Sequence, residues 1–395
     1  MKRLCIIILA IFLSGCFPDS NLRKLRILGD TVYQIHNLVP FHMHSGVIFI
    51  KNNDWGSSIT LCEEDMGNIS TFIAYDKLFF DVALSPDDKH LLICYCDAGD
   101  ESNSSLAIFD LENRSLKQID VGKGIHATPQ FSPSAERVVF SYSADEQRTH
   151  LYMYFVQSGE YQVLTNGDLC ERAPVFLDKN RLLFWRASKF TGHTASDTWH
   201  YWELCLRDED GNEAVLTDQC FYNLPVMSIH PSKSYALITE PYNGTSFLLD
   251  IDARKISSLS ELLTLNGHSS LFKEYLWAGV VLRDGHNFGV VISKDNRNAY
   301  RDRYIYLVDR REMIAKRVSH TAAPIEEICF SSNSKTVFYT TTIVSEYNWL
   351  CTMSLTDLEI KTINFDEKGT TTITDISHLF PRRSDKAISF RSSGR

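Results

Sequence analysis

The chain has 395 residues, of which 44% are hydrophobic, 12% aromatic and 23% charged. This composition supplies a large apolar core and excludes an intrinsically disordered or collagen-like chain. The 49 acidic residues outnumber the 40 Lys and Arg residues, giving a formal net charge of −9, whereas a protein that binds a nucleic-acid backbone usually has a basic excess. We therefore expect no nucleic-acid partner, and length alone leaves one domain or several open.

The first residues of the chain have the organisation of an export signal. Lys2 and Arg3 precede an apolar run over residues 4–13, which then gives way to small residues. The run is shorter than the roughly 20 residues that a membrane-spanning helix needs. Residues 1–15 are therefore predicted to be a signal peptide.

The end of this signal carries a second feature. Leu13, Ser14, Gly15 and Cys16 resemble the lipobox of bacterial lipoproteins. The resemblance implies cleavage between Gly15 and Cys16 and attachment of acyl chains, palmitate among them, at Cys16, and several chains suffice for stable membrane attachment. Phe17 stands where an Asp would, by resemblance to the Gram-negative sorting rule, imply inner-membrane retention. In a Gram-negative cell we therefore expect the periplasmic face of the outer membrane, with residues 16–41 as a lipid-anchored tether.

A turn landmark recurs along the rest of the chain at intervals of about 49 residues. Residues 127–167 show the pattern: a short strand ending at a Ser-Pro turn, a β-rich strand, a polar loop, an alternating strand, a Gly turn and a fourth strand. Four short strands in about 40 residues are typical of one β-propeller blade. The landmark falls at Pro86, Pro133, Asp178, Pro231, Arg283, Ser332 and Pro381.

The hairpin between the third and fourth strands of each blade gives an independent count. Seven such hairpins begin near residues 59, 106, 151, 201, 246, 304 and 349. We therefore predict an all-β chain in which residues 42–395 form one propeller, with seven four-stranded blades rather than eight or six. The first hairpin has no obvious inner strand before it, and a strand near residues 376–380 lacks its hairpin. A C-terminal strand is thus expected to complete the first blade and close the ring.

One observation keeps the eight-bladed alternative open. Residues 47–50 and residues 387–390 both have the pattern of the second strand in that same blade. One of them is then an extra edge strand, or the ring has eight blades with a hybrid last blade.

The repeat itself is informative about family. Residues 129–167 resemble the WD-like propeller repeat of TolB-like proteins, which the prolyl-oligopeptidase and dipeptidyl-peptidase propellers share. The Ser-Pro turn at Pro133, the strand at residues 138–140 and the terminal Leu164-Thr165 carry the match. The resemblance is clear over residues 78–220 and implies a docking role in the cell envelope. A peptidase would need a Gly-x-Ser-x-Gly elbow, and no such pentapeptide occurs.

Thirteen His residues raise the question of a metal. Oligogalacturonate lyases, which have a related propeller, hold a divalent metal with His residues that converge on the central channel. His126 and His320 precede predicted inner strands, and His230 and His378 lie within or beside them, so the resemblance makes His126 and His320 candidate ligands. No His pair has the spacing of a preorganised local site, and no metal or other cofactor is predicted.

The cysteines permit disulfides in an oxidising compartment. Cys170 and Cys220 each follow a Leu-Thr blade end and precede a Pro, so a disulfide between them could join adjacent loops of consecutive blades. The remaining Cys residues of the mature chain are predicted to pack as small buried hydrophobes.

Anchor and repeat together lead to two functional hypotheses. The first is a non-enzymatic, outer-membrane-anchored lipoprotein whose propeller binds an envelope protein or peptide at one face, with no catalytic residues. The alternative is a propeller-type polysaccharide lyase, or a glycan- or small-ligand-binding protein, with a metal or ligand site at the central channel. Side chains at the channel distinguish the two.

Overall fold

The structure is a computed structural model of the chain. It describes residues 34–375 except for residues 44–45, 54–55, 64–68, 76, 98–99, 101, 146–147, 192–197, 241–243, 266–274, 284–285, 294–302, 319–324, 335, 345–355 and 366–370. The predicted signal peptide, the Gly15–Cys16 cleavage site and lipidated Cys16 lie outside the described residues. So do His320, His378, Pro381 and the strand pattern at 387–390.

The described residues form seven four-stranded antiparallel sheets that follow one another along the chain. Sheet 1 contains β1 (Gln34–Pro40), β2 (Gly46–Asn53), β3 (Gly56–Glu63) and β4 (Ile69–Tyr75). Sheet 2 contains β5 (Lys77–Leu84), β6 (His90–Asp97), β7 (Ser104–Asp110) and β8 (Ser115–Ile119). Sheet 3 contains β9 (Ile125–Phe131), β10 (Arg137–Ser143), β11 (His150–Phe155) and β12 (Tyr161–Val163).

The second half of the chain repeats this order. Sheet 4 contains β13 (Cys170–Phe176), β14 (Leu182–Thr191), β15 (Thr198–Arg207) and β16 (Glu213–Phe221). Sheet 5 contains β17 (Val226–Ile229), β18 (Tyr235–Glu240), β19 (Thr245–Asp250) and β20 (Lys255–Ser258). Sheet 6 contains β21 (Tyr275–Val281), β22 (Asn287–Ser293), β23 (Arg303–Asp309) and β24 (Ile314–Arg317). Sheet 7 contains β25 (Ile325–Phe330), β26 (Thr336–Val344), β27 (Thr356–Phe365) and β28 (Thr371–Asp375).

The sheets are arranged as a β-propeller. The first strand of each sheet is its inner strand, and β1 contacts both β5 of the next sheet and β25 of the last. Apolar clusters lie between neighbouring sheets, as where side chains of sheets 4 and 5 pack together. The predicted all-β class and propeller architecture are therefore confirmed, with the core divided among the gaps between sheets.

One short helix, α1 (Leu259–Leu265), lies between sheets 5 and 6 in the chain. Leu259 and Leu263 are four residues apart, so they share one helix face, and both are buried in the cluster that joins sheets 5 and 6. No helix in the described part of the chain is long and apolar enough to cross a lipid bilayer.

The turn landmark has a clear structural basis. Five residues separate β5 from β6, and this spacing between first and second strands recurs in every sheet; we call these five residues the first turn. In sheet 2 the N–H of Asp88 donates to the carbonyl of Ser85 at 3.0 Å, with Pro86 at the second position, where its fixed φ suits the turn. The six landmarks from Pro86 to Ser332 all occupy this second position, as the sequence predicted.

Sheet 1 corrects the predicted ring closure. Its inner strand is β1, which pairs with β2 from Gln34 opposite Asn52 to Pro40 opposite Val47. The prediction that a C-terminal strand supplies this position is therefore wrong, and the strand lies within residues 16–41, the predicted tether. The sequence missed it because its first turn, which begins at Phe41, has no Ser-Pro landmark.

The last sheet corrects a second prediction. The hairpin expected to begin near residue 349 is formed instead by β27 and β28, which begin at Thr356 and Thr371. The second half of the predicted hairpin, which ends at residue 363, belongs to the third strand, and residues 371–375 supply the fourth strand.

Candidate ligand site at one end of the channel

First turns of neighbouring sheets are joined to each other by side chains. The carboxylate of Asp88, in the first turn of sheet 2, accepts the main-chain N–H groups of His42 and Met43 in sheet 1 at 2.8 and 2.6 Å. Ser334 of sheet 7 acts in the same way, because its hydroxyl accepts the N–H of Arg283 in sheet 6 at 3.0 Å. Each acceptor is thus the fourth residue of its turn and reaches the second residue of the preceding turn.

The same pattern explains why the first turns of sheets 2 and 3 are not joined by such a hydrogen bond. Pro86 has no N–H to donate, and the fourth residue of the next first turn is Ala135, which has no acceptor. His42 and Arg283 occupy landmark positions where most other sheets have Pro or Asp. Departures from the repeat therefore mark the places where charged or polar side chains gather.

Arg283 crosses from sheet 6 to sheet 1. Its Nη1 donates to the His42 carbonyl at 2.8 Å, and its Nη2 donates to the ring Nδ1 of His42. Since sheet 7 lies between these two sheets in chain order, Arg283 joins two first turns that belong to non-consecutive sheets. The His42 turn is consequently held by Asp88 on one side and Arg283 on the other.

Ionisable groups of the first turns have shifted pKa values. The pKa of His42 is lowered, first by burial, then by the charge of Arg283, and also by that of Lys233 in sheet 5. Burial lowers the pKa of Lys233 as well, and the same cause lowers that of Arg283. We call His42, Asp88, Arg283 and Ser334, which these hydrogen bonds join, the channel-end cluster. It presents a cationic donor and a fixed main-chain turn, which together suit binding of a polar ligand.

The structure places His126 in the core rather than at a ligand site. The side chain is 2% exposed, its Nδ1 donates to the Ser104 carbonyl at 2.9 Å, and its ring packs against Phe140 and Tyr142 with centroids 5.9 and 5.0 Å apart. Burial lowers the pKa of His126 to about 4. The structure thus gives His126 hydrogen-bond and aromatic partners in the core, and the other candidate, His320, lies outside the described residues.

His230, which the sequence placed within or beside a predicted inner strand, has a structural role too. His230 begins the first turn of sheet 5, where its Nδ1 lies 2.6 Å from the Ser232 hydroxyl and its ring stacks on Tyr235 at 4.6 Å. Within the described ranges, no group of three or more His, Cys, Asp or Glu side chains could hold a metal ion.

Cys170 and Cys220 are free thiols, and their positions correct the proposed disulfide. Cys170 begins β13, the inner strand of sheet 4, whereas Cys220 lies in β16 at the opposite edge of the same sheet. Three strand spacings put them roughly 14 Å apart, and a disulfide needs Cα atoms within about 7 Å. The error arose because β16 continues past the Leu-Thr end to Phe221.

A buried charged network in sheet 4 was not predicted. Glu171 in β13 accepts the Nε of Arg186 at 3.2 Å and lies 3.0 Å from Nδ1 of His150 in sheet 3. Arg186 also pairs with Glu213, which accepts Nη1 of Arg207 at 2.8 Å. The sequence feature that could have indicated this network is Glu171 itself, because it is a carboxylate at an inner-strand position where sheet 2 has Phe79.

Comparison with known proteins supports the fold and assigns no activity. No protein-family model and no curated protein sequence matches the chain. Among solved structures, the β-propeller domain of the Trilobed protease from Pyrococcus furiosus is 12% identical with a TM-score of 0.57, over 87% of this chain and 97% of that one. An oligogalacturonate lyase from Vibrio parahaemolyticus is 12% identical with a TM-score of 0.58, over 86% and 93% of the two chains.

TolB from Acinetobacter baumannii is also similar, with 14% identity and a TM-score of 0.42 over 82% of this chain and 60% of that one. The chain thus spans only part of TolB, and it spans 50% of a similar prolyl endopeptidase. At these identities the similarities concern architecture. What this chain shares with these proteins is the β-propeller fold.

Proposed function

We propose that the protein is a binding scaffold of the cell envelope, whose propeller docks a protein or peptide at the channel-end cluster. The observation that carries the proposal is the convergence of first turns from sheets 1, 2, 6 and 7 on one charged cluster. Such converging turns suit ligand binding, because the sheet beneath each turn holds it in place.

An exposed apolar side chain lies beside this cluster. Met43 is 70% exposed, although its own N–H is bonded to Asp88. Protein interfaces favour Met and Arg, and a fixed backbone reduces the entropy lost on binding. The combination of exposed Met43, a held turn and charged donors therefore supports docking of a protein segment.

The proposed scaffold is a closed, seven-bladed ring. Its support is that the junction of sheets 7 and 1 resembles the other junctions. Leu38 N–H donates to Glu327 Oε2 at 3.2 Å across sheets 1 and 7, and Asn37 Nδ2 donates to the Phe80 carbonyl at 2.7 Å across sheets 1 and 2. The ring then closes through side-chain bonds rather than through a strand shared by both ends of the chain.

The proposed location is the periplasmic face of the outer membrane, through acyl chains on Cys16. It is supported by the charged, apolar and small-residue segments of residues 1–16. Replacement of Cys16 by Ser is expected to move the protein from the membrane to the soluble fraction of the envelope. Continued membrane attachment of the Cys16→Ser variant would refute the lipid anchor.

Site-specific photocrosslinking tests the docking proposal. A photoreactive phenylalanine analogue at position 43 in living cells is expected to give an adduct of defined mass with an envelope protein. The same analogue at Leu116, which is 48% exposed in outer strand β8, is the matched control. Absence of an adduct at position 43, or the same adducts at both positions, would contradict docking at this end.

A further inference from the structure

We propose that the end of the propeller opposite the first turns, which we call the far end, lies against the lipid bilayer and contacts it through aromatic residues of sheet 4. This inference rests on the proposed lipid anchor at Cys16 and adds an orientation and a contact surface to it. In this orientation the channel-end cluster faces away from the membrane, where an envelope protein can reach it.

The first support is the place where the chain enters the ring. β1 begins at Gln34 and ends directly before the first turn of sheet 1, so Gln34 lies at the far end. Gln34 follows Cys16 by 18 residues, and a fully extended chain of that length spans at most about 60 Å. An acylated Cys16 therefore limits the distance between the far end and the bilayer, and it allows direct contact.

The second support is an extension of sheet 4 at this end. Residues 189–191 of β14 pair with residues 198–200 of β15, whereas β13 begins opposite Ala187 and β16 ends opposite Trp202. These three pairs, which we call the arm, therefore continue past both neighbouring strands of their own sheet. Because a two-stranded hairpin is only marginally stable by itself, the arm gains stability from a surface that it contacts.

Aromatic residues lie in the arm and at its base. Phe190 and Trp199 are directly opposite each other in the arm, so they are on the same face of it. At the base, Tyr201 and Tyr222 are both exposed, and their ring centroids are 5.8 Å apart in an edge-to-face arrangement. Tyr and Trp suit the boundary between lipid and water, because each combines an apolar ring with a polar group.

The base of the arm marks the end of the core. The last row that all four strands of sheet 4 share is buried and consists of Cys170, Ala187, Trp202 and Phe221. One residue further toward the far end, three large apolar side chains are exposed, namely Leu169, Tyr201 and Tyr222. Tyr201 has a φ of 61°, which a bulky residue rarely adopts, so the backbone changes direction at this row. The exposed side chains are therefore available to a surface outside the ring.

The charged residues around the arm have both signs. Lys189 is cationic, whereas three residues of the same hairpin or of β16 are acidic, namely Asp197, Glu203 and Asp218. Asp168, next to Leu169, is paired with Arg148 at 2.9 Å. A surface of mixed charge does not by itself attract anionic headgroups. We therefore assign the contact to the aromatic side chains and expect it to need no anionic lipid.

Photocrosslinking to lipid in living cells tests the proposal. A photoreactive phenylalanine analogue at Tyr222, which is 50% exposed at the far end, is expected to give phospholipid adducts about tenfold more often than the same analogue at Tyr161. Tyr161 is the matched control, because it is 49% exposed but begins β12, at the first-turn end of sheet 3. Mass spectrometry identifies the adducts, and equal thermal unfolding of the two variants shows that the fold is kept.

Three results would overturn the proposal: no lipid adduct at position 222, equal lipid adducts at both positions, or a protein adduct at position 222 in place of lipid. Fractionation of the same cells separates the contact from the anchor. Membrane-bound protein without a lipid adduct at position 222 refutes only the contact, whereas protein in the soluble fraction refutes the anchor and the contact with it. An envelope-protein adduct at position 43 is scored separately, because it concerns the opposite end of the ring.

Discussion

His126 in sheet 3 and Glu171 in sheet 4 occupy the same position, six residues before the residue that begins the first turn. Both are almost fully buried, at 2% and 1% exposure. The main-chain N–H of each donates to the third strand region of the preceding sheet, His126 to the Ser104 hydroxyl at 2.6 Å and Glu171 to the Thr149 carbonyl at 2.7 Å. The backbone environment is therefore shared, and only the side chains differ.

The two sheets stabilise these polar side chains in opposite ways. His126 lies between aromatic rings with a pKa lowered to about 4 by burial, so it is neutral at physiological pH. Glu171 lies in a network of Arg186, His150 and the Thr165 hydroxyl. In sheet 2 the same position holds Phe79. The comparison teaches that all three sheets fill this position with a bulky side chain, and that the charged one, Glu171, is surrounded by hydrogen-bond donors.

The largest expected effect on stability comes from replacing Glu171, the charged residue of this pair. Glu171→Leu removes the carboxylate that Arg186 and His150 face, so it should lower the free energy of unfolding by about 3 kcal/mol in urea denaturation. The double variant Glu171→Leu with Arg186→Leu, which also removes the cation that Glu171 faced and leaves Glu213 paired with Arg207, should recover much of this loss. A single variant within about 1 kcal/mol of the unchanged protein would show that the network contributes little.

The role of the neutral residue, His126, is tested by His126→Phe, which gives sheet 3 the residue that sheet 2 has at this position, Phe79. The folded pKa of His126 is about 4, below the ordinary 6.5, so the unfolded chain binds more protons between these values. Stability should therefore fall by roughly 1–3 kcal/mol as pH drops from about 6.5 to about 4. His126→Phe should remove this part of the pH dependence, and an unchanged pH profile would contradict the assignment.

Asp81 provides a control of opposite sign at the same junction of sheets 2 and 3. Its carboxylate accepts the Thr128 N–H at 2.7 Å, and burial raises its pKa to about 7. The folded state then binds more protons than the unfolded state between about 4 and 7, so stability falls as pH rises through this range. Asp81→Asn keeps an acceptor and should stabilise the protein by about 1–2 kcal/mol at pH 8 but not at pH 4. Destabilisation at pH 8 would show that the charge itself is needed.

The smallest effect is expected at Cys220. It is exposed in an outer strand and lies 3.6 Å from the Glu203 carboxylate, while Cys170 is fully buried. Cys220→Ser should change the free energy of unfolding by less than about 0.5 kcal/mol. In the folded protein a thiol reagent should modify Cys220 and leave Cys170 unmodified until unfolding. Protection of both thiols from the reagent would argue that they are joined after all.

The sequence predicted the repeated part of the fold because that part is local. Each Ser-Pro turn and each third-to-fourth-strand hairpin is encoded by a few neighbouring residues, and these signals located the first turns of sheets 2–7. They failed where local signals were absent: β1 has no landmark before its first turn, and the hairpin of sheet 7 begins at Thr356 rather than near residue 349. Cys170 and Cys220 were misplaced for the same reason, since the length of β16 depends on its pairing with β15.

The candidate site was decided by the tertiary structure alone. The sequence showed that Arg283 replaces a landmark Pro, but not that its guanidinium reaches His42, 241 positions away in the chain. Asp88 and Ser334 likewise stand in separate repeats, and only the propeller arrangement brings them to the first turns of His42 and Arg283. The sequence by itself determined the all-β repeat and its acidic composition. Which charges meet was decided by the ring, because Coulomb and hydrogen-bond energies depend on distance in space and not on separation along the chain.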